Sequence, residues 1–229
     1  MKKNNVVQLL SGLSCLSTVG ALLLGGRGTA QAFSASDRST ALSCYNNTFY
    51  YTLNSGTQGF YRASDGTGNI TSFWQFAEQI ELVCDTGNVA AVNQVCAGFT
   101  ARMGTDWTWN TYNDDLMWAS IAFSRAYQLT GNTTYRTLAA NGFNVAWNRG
   151  WDTVSTGMWW NTNKDIKTGC VNGPGGIAAY LLSVTLGDAS YKTKAQQFHT
   201  WEINSLYDNA TGSVKGSPAG TDFNTYDSG

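Results

Sequence analysis

The sequence predicts an all-α domain built from helical hairpins, and the hairpins are expected to form a toroid. Three observations support this fold class. Apolar residues recur at helical spacing along most of the chain, and strand signals are weak. Three turns, at 85–88, 129–132 and 186–188, combine a glycine that can end a helix with an Asn or Asp that can cap the next one. Their wide spacing favours a ring of hairpins over a tight repeat array.

Each predicted helix begins near a residue whose side chain can cap its first turn. The caps of the first two helices are Asp37 and either Thr71 or Ser72. The seven predicted helices have approximate bounds of 37–53, 73–83, 88–103, 113–129, 132–147, 177–186 and 188–206. A Gly/Pro-rich stretch, 169–176, precedes the sixth helix. Short hairpins can form at 57–62 and 157–161, as loops over the helical scaffold.

The first 32 residues have the pattern of a secretory signal peptide. Lys2 and Lys3 give a basic start, an apolar stretch includes 19–24, and Ala30-Gln31-Ala32 forms a small-residue cleavage site. The alternative, a membrane anchor, is disfavoured because the apolar run is short and is interrupted by Gly and Ser. We therefore expect a secreted protein in which 33–229 form one domain.

Five cysteines are present, and Cys15 lies in the predicted signal peptide. The other four predict two disulfides in a secreted chain, and the sequence leaves their pairing open. They are Cys44, Cys84, Cys96 and Cys170. The Cys84–Cys96 pair is favoured because both residues fall on successive predicted helices around one turn. A zinc site is disfavoured, since the sequence has no Cys-x-x-Cys and its one histidine is His199.

Four Asn-x-Ser/Thr acceptor sites occur in the sequence, at Asn46, Asn69, Asn132 and Asn209. Together with a signal peptide they predict N-glycosylation and a eukaryotic source. All four asparagines are therefore expected at the surface.

The composition favours a carbohydrate ligand. The chain has 14 basic and 15 acidic residues, and loss of Lys2, Lys3 and Arg27 with the signal peptide makes the remainder more acidic. This balance disfavours nucleic acid and anionic membranes as partners. Aromatic residues make up 13% of the chain and include nine Trp. More than half of them are expected in the core, but exposed rings can stack on the apolar C–H faces of sugars.

Two adjacent carboxylates, Asp114 and Asp115, lie at the start of the fourth predicted helix. The aromatic residues around them are Trp107, Trp109, Tyr112 and Trp118. Because neighbouring carboxylates repel each other, partial burial would shift at least one pKa and separate a nucleophile or base from an acid. Adjacent Cα atoms lie about 3.8 Å apart, which suits the carboxyl spacing of retaining glycosidases better than that of inverting ones. The alternative is an acidic pair that stabilises a helix start.

These residues, with others in the same order, resemble glycoside hydrolase family 76. The matching motifs are Trp74-Gln75, Asn113-Asp114-Asp115, Gly157-Met158-Trp159-Trp160-Asn161, Lys164 and Asn172-Gly173. The resemblance covers roughly 33–229 and implies an (α/α)6 toroid with endo-α-1,6-mannanase activity, with no cofactor and no metal. A toroid of six hairpins has twelve helices, so about seven predicted helices imply an incomplete domain.

The resemblance also implies a role for each motif residue. Asp114 would be the nucleophile, and Asp115 would be the general acid/base that protonates the leaving oxygen and then activates water. A charge on Asp114 is expected to help raise the pKa of Asp115. Trp109, Tyr112, Trp159 and Trp160 are the candidates for stacking on sugar rings. The other implied substrate contacts are Trp74, Gln75, Asn113, Lys164, Asn172, Tyr226 and Asp227.

Three functions follow from these observations. The first is a secreted hydrolase of α-1,6-mannan that acts in fungal cell-wall processing. The second is a wall transglycosidase that acts on mannose-containing glycolipid anchors, because a sugar hydroxyl can capture a covalent intermediate in place of water. The third is a non-catalytic mannan-binding wall protein. Contact with a membrane is expected only through a lipid anchor in a further C-terminal segment.

Overall fold

The structure, a computed structural model, describes residues 34–63 and 71–220. Contacts divide the chain into two units, Met1–Cys44 and Tyr45–Gly229. The helices are α1 (Ala35–Phe49), α2 (Phe73–Asp85), α3 (Val89–Met103), α4 (Asn113–Thr130), α5 (Thr133–Gly150), α6 (Gly169–Leu186) and α7 (Ala189–Ser205). The strands are β1 (Tyr50–Leu53), β2 (Gln58–Tyr61), β3 (Tyr207–Asp208) and β4 (Ser213–Val214). The all-α fold class is therefore confirmed.

Several predictions fall on residues outside the described ranges. These are the signal peptide at 1–32, the acceptor site at Asn69, and the substrate contacts at Tyr226 and Asp227. Among the described helices, none combines the length and the apolar character that a membrane crossing requires.

In the first unit, helix α1 starts earlier than the sequence predicted. Ser34 and Asp37 exchange hydrogen bonds. The backbone N–H of Ser34 donates to Asp37 Oδ2 (2.8 Å), and the backbone N–H of Asp37 donates to Ser34 Oγ (3.1 Å). This is the reciprocal arrangement of a capping box. Asp37 is therefore the acidic partner in the first turn, and the prediction that it caps the helix is wrong.

A β-hairpin replaces the end of the first predicted helix. β1 pairs with β2 in antiparallel register, with Tyr50 opposite Tyr61 and Leu53 opposite Gln58. The connecting turn contains three consecutive residues with positive φ, at 54–56, a conformation that ends a helix. β2 lies so close to α3 that a Cβ on Gly98 would come within 2.1 Å of the Gly59 carbonyl oxygen. Helix beyond Phe49 was thus a wrong prediction, because this tertiary contact requires an extended chain.

Helix α4 is at the centre of the second unit. It packs between α2 and α6, while α3, α5 and α7 pack against α2, α4 and α6 in turn, as a series of hairpins. The buried core between these layers is aromatic and aliphatic; its fully buried side chains include Phe76, Phe99, Phe123, Phe143, Phe198, Leu116 and Leu182. Each such side chain contributes about 1.5–3 kcal/mol by leaving water, so the core positions the start of α4 firmly.

The predicted helix-stop, helix-start turns are confirmed. Gly87, Gly131 and Gly187 all have positive φ, between 67° and 71°, which glycine adopts without steric cost. The next residue then caps the following helix with its side-chain oxygen. The backbone N–H groups of Ala91, Thr134 and Ser190 donate to the side-chain oxygens of Asn88, Asn132 and Asp188, respectively. Local sequence alone therefore defines these three reversals.

Helix α6 begins at Gly169 and not near Ile177 as predicted. It includes Pro174 in its first two turns. The glycines that obscured this helix in the sequence permit close packing on α7: a Cβ on Gly175 would come within 2.5 Å of the Phe198 ring. Packing thus overrides the poor helix propensity of the Gly/Pro-rich stretch. On its other side, α6 leaves three apolar residues more than half exposed, Ile177, Tyr180 and Val184.

No disulfide joins Cys44, Cys84, Cys96 or Cys170 in the described residues. The predicted Cys84–Cys96 bond is therefore wrong, although both residues lie on the two packed helices α2 and α3. Cys96 is fully buried beside the Tyr135 hydroxyl, and burial raises the pKa of its thiol. Burial also raises the pKa of the Cys84 thiol, to about 11. Both sulfurs thus serve as small apolar groups in the packing.

Three of the predicted glycosylation acceptors lie in the described residues. Asn132 and Asn209 are exposed, as expected. Asn46 is half-buried, and its Oδ1 accepts a hydrogen bond from the Tyr61 hydroxyl (2.7 Å). Modification at these positions stays a prediction.

Candidate active site

The acidic pair lies in the first turn of α4. The helix begins at Asn113, whose backbone N–H donates to the carbonyl oxygen of Trp160 (2.8 Å) and so joins the helix start to the 150–167 loop. Asp114 and Asp115 follow at once, where the helix dipole favours negative charge. Both side chains are nevertheless half-buried. An acidic pair that only stabilises a helix start would be exposed, so this burial disfavours that alternative.

Burial is the main cause that raises the pKa of Asp114, to about 6. The indole N–H of Trp160 lies close enough to oppose this rise, and the charge on Asp115 adds to it. Neither Asp114 Oδ1 nor Trp160 Nε1 makes a hydrogen bond of good geometry within the described residues, although both atoms are buried and the indole N–H lies near the carboxyl group. Unsatisfied buried polar atoms are rare in proteins and require an explanation. A ligand group that bonds to both would supply one.

Asp115 has a different environment. Burial raises its pKa, while a hydrogen bond from Asn110 Nδ2 to Asp115 Oδ2 (2.7 Å) opposes the rise. The sequence predicted that the charge on Asp114 would help raise the pKa of Asp115. Burial is instead the main cause of that rise. Asp115 thus has a well-aligned amide donor, whereas Asp114 Oδ1 has no partner of good geometry in the described residues, so the two carboxyl groups have unequal environments.

The aromatic side chains around the pair divide into core and surface groups. Trp107 is buried and packs against Phe99 and Phe123, so it belongs to the core. Trp109 is 59% exposed and Tyr112 is 43% exposed. The rings of Tyr112 and Trp160 lie 5.1 Å apart. An open aromatic surface therefore adjoins the buried carboxyl groups.

The loop 150–167 is fixed by polar contacts. Lys167 is only 8% exposed, and its Nζ donates to Asp152 Oδ2 (2.7 Å), which holds the pKa of Asp152 well below its usual range. The same ammonium lies 4.5 Å from the centre of the Trp159 ring. Isolated bridges, including one between Tyr112 and Asn161, take the place of the hairpin predicted at 157–161. The loop is thereby held beside the acidic pair.

Two predicted substrate contacts are instead buried supports of this loop. Asn113 is fully buried; its Nδ2 donates to Trp159 O (2.8 Å), and its Oδ1 accepts from Arg149 Nε (2.7 Å). Asn172 is fully buried as well, with its amide bonded to the backbone of Met158 and Thr168. Burial and these bonds give both side chains a structural role, and direct contact of either with substrate stays a prediction.

The remaining predicted contacts have different surroundings. Trp74 and Trp118 line a cavity of about 530 Å³. Trp118 follows the acidic pair by one helical turn and therefore lies on the same face of α4 as the pair. Gln75 is exposed, and its Oε1 accepts hydrogen bonds from the backbone N–H and the hydroxyl of Ser72 at the start of α2. Lys164 is exposed with a φ of 59°. No His/Cys/Asp/Glu group in the described ranges has the geometry of a metal site.

Sequence reasoning missed two residues of the site. Asn110 bonds directly to Asp115, and Arg149 bonds to the side chain of Asn113 and the carbonyl of Asn110. Both are common residue types without a motif of their own. The position of Asn110 a few residues before an acidic pair, in a loop rich in aromatics, was the one available signal.

The chain matches the sequence profile of glycosyl hydrolase family 76 over residues 31–224. It belongs to this family. The resemblance to this family is thus confirmed. Among proteins with curated functions, none matches the chain at a significant level.

Solved structures of family 76 share the fold. The GH76A α-1,6-mannanase of Salegentibacter sp. HEL1_6 is 24% identical, with a TM-score of 0.66 over 78% of this chain and 53% of that one. The Lin0763 protein of Listeria innocua is 20% identical, with a TM-score of 0.66 over 78% of this chain and 54% of that one. The α-mannanase BT2949 of Bacteroides thetaiotaomicron is 12% identical, with a TM-score of 0.66 over 80% and 59%.

An inactive variant of the Salegentibacter enzyme, with two adjacent aspartates changed to asparagine, was solved with α-1,6-mannotriose; it is 23% identical, with a TM-score of 0.67 over 78% of this chain and 53% of that one. The present chain thus spans about half the length of these structures. At this level of identity the likeness establishes the toroidal helical-hairpin fold.

Proposed function

We propose that this chain carries the catalytic pair of a retaining glycosidase that hydrolyses α-1,6-mannosidic linkages within mannan. The observation that carries the proposal is the pair itself: two adjacent half-buried carboxyl groups in unequal environments beside exposed aromatic rings. A supporting parallel is the Salegentibacter α-1,6-mannanase, whose variant lacking two adjacent aspartates is inactive. Unequal carboxyl groups are what a double displacement requires.

In this mechanism Asp114 attacks the anomeric carbon and forms a covalent glycosyl intermediate. Its Oδ1 has no hydrogen-bond partner among the described residues, which leaves a lone pair for the new bond. Asp115 gives its proton to the leaving oxygen. The resulting Asp115 carboxylate then takes a proton from water, which attacks the intermediate and restores Asp114.

The exposed rings supply a surface for the neutral, hydroxyl-rich substrate. Trp109 projects its ring over Phe73, with 5.9 Å between ring centres, and remains largely open. Tyr112 is open beside Trp160. Sugars stack on such faces through their C–H groups. We infer that these two rings bind mannose units adjoining the cleaved bond.

The decisive experiment measures reducing ends released from unbranched α-1,6-mannan. We expect Asp114→Asn and Asp115→Asn each to lower the rate by on the order of 10⁴, with unchanged thermal unfolding. Asp106→Asn, which changes an exposed aspartate in the preceding loop, serves as the matched control and should keep full activity. Full activity in Asp114→Asn would overturn the assignment of the nucleophile.

The same assay separates the alternative functions. Addition of a β-glucan acceptor should not divert product from free sugar if water is the natural acceptor; a mannosylated glucan would identify a transglycosidase. A folded chain that binds α-1,6-mannotriose without turnover would identify a binding protein. Secretion, and a role in fungal cell-wall mannan, are further parts of this proposal that rest on the pattern of residues 1–32 and the Asn-x-Ser/Thr sites.

A further inference from the structure

Asn110 is a buried amide whose side-chain oxygen and nitrogen are both engaged. It is 4% exposed. Its Nδ2 donates to Asp115 Oδ2 (2.7 Å), and its Oδ1 accepts from the backbone N–H of Tyr112 (3.0 Å). A backbone N–H can only donate, so this second bond fixes which end of the amide is oxygen. The NH₂ group must therefore face Asp115.

Arg149 holds Asn110 from the other side. Its Nη2 donates to the carbonyl oxygen of Asn110 (2.6 Å), and its Nε donates to Asn113 Oδ1 (2.7 Å). One planar guanidinium therefore spans the loop before α4 and the first residue of α4. In the described residues this cation makes no ion pair, so its hydrogen bonds go to neutral groups and hold them in place.

We propose that Asn110 is a positioning residue for Asp115, and that Arg149 keeps Asn110 in place. This inference rests on the proposed function, since it assigns a part to the general acid/base of that reaction. Because the amide donates to Oδ2, that oxygen acts as an acceptor only. The proton that Asp115 transfers is therefore carried on Oδ1, and the carboxyl group is held in one orientation for both steps.

The elements packed at the start of α4 contain several charged groups. Asp114 is the neighbour of Asp115 on α4, and Arg149 on α5 reaches Asp115 through Asn110. Helix α2 carries Glu78 together with Glu81 and Asp85, and the last two pair with Arg125 on α4. Helices α3 and α5 also carry Arg102 and Arg136, and helix α6 contains no Asp, Glu, Lys or Arg. A change at Asn110 thus acts on Asp115 mainly by removing one hydrogen bond, which makes the effect measurable in isolation.

The test is a carbon-13 NMR titration of the aspartate carboxyl groups, with the Asp115 signal assigned by its loss in Asp115→Asn. Asn110→Ser keeps an oxygen for the Tyr112 N–H but is too short to reach Asp115. In this variant we expect the acid dissociation constant of Asp115 to fall by about tenfold, which is about one pKa unit. The basic limb of the pH–activity profile should move to higher pH by the same amount.

The matched control is Asn132→Ala. This change also deletes an Asn oxygen that accepts from a backbone N–H two residues ahead, but the residue has no bond to Asp115. It should leave the Asp115 titration unmoved. An unmoved Asp115 titration in a folded Asn110 variant would overturn the proposal, whether or not the chain is active. An inactive chain in which the titration does shift would contradict the proposed function and leave the positioning role intact.

Discussion

Asn172 and the backbone of Met158 form a two-way hydrogen-bonded pair. The Oδ1 of Asn172 accepts from Met158 N (2.7 Å), and its Nδ2 donates to Met158 O (3.2 Å). The same Nδ2 also donates to Thr168 O (2.8 Å) at the start of α6. The buried Asn172 amide thus supplies hydrogen-bond partners to a loop that forms no continuous strand ladder. It also connects α6 to the residues beside the acidic pair.

We expect Asn172→Ala to lower the free energy of unfolding by about 2–3 kcal/mol, because the Met158 N–H and carbonyl would be left buried without partners. Urea unfolding measures this loss. Asn204→Ala, at an exposed position of α7, is the control and should change the free energy by less than about 0.5 kcal/mol. Equal losses in the two variants would contradict the structural role given to Asn172.

Gly157 tests the packing of the same loop. It has a φ of +75°, and a Cβ there would lie 2.4 Å from the Trp201 indole. Gly212 has a φ of +72°, and a Cβ added there would meet nothing within 4 Å, so an alanine at that position adds backbone strain alone. We expect Gly212→Ala to cost about 1 kcal/mol and Gly157→Ala clearly more, with a lower melting temperature. Similar melting temperatures would show that Trp201 moves aside freely.

Glu202 should make stability depend on pH. Burial raises its pKa from 4.5 to about 7, so the folded state holds the proton more tightly than the unfolded state. This contribution is fully present below about pH 4.5 and is lost as the pH rises through about 7. Glu202→Gln should therefore raise the free energy of unfolding by about 1 kcal/mol relative to the unsubstituted chain at pH 8, an effect already reduced for the partial exposure of Glu202. At pH 4.5 the free energy of unfolding should change little.

The pH comparison needs a control because other acids titrate as well. Glu81, whose pKa burial also raises to about 7, remains in both proteins and contributes equally. Asp106→Asn, at a fully exposed aspartate whose pKa is lowered by bonds from Thr108, should not flatten the dependence between pH 4.5 and 8. The same slope in Glu202→Gln as in the unsubstituted chain would exclude Glu202 as a source.

The sequence predicted best where the determinants are local. The turns at Gly87, Gly131 and Gly187 each need only a left-handed residue followed by a capping side chain, and both are visible within four residues. Prediction was poorest for β1 and the start of α6. Pairing with β2, which itself packs against Gly98 on another helix, decides the first, and a contact with Phe198 decides the second, so no local pattern could indicate either.

The same division applies to the site. The sequence by itself determined the family, the succession of capped helices, and the acidic pair at a helix start, because these depend on residue types at short spacing. Only the tertiary structure decided that Asn113 and Asn172 are buried supports, that Asn110 bonds to Asp115, and that the cysteines form no disulfide in the described residues. Those outcomes depend on burial and, for Asn113, on partners tens of residues away along the chain, and the free energy of such contacts exists only once the helices have packed.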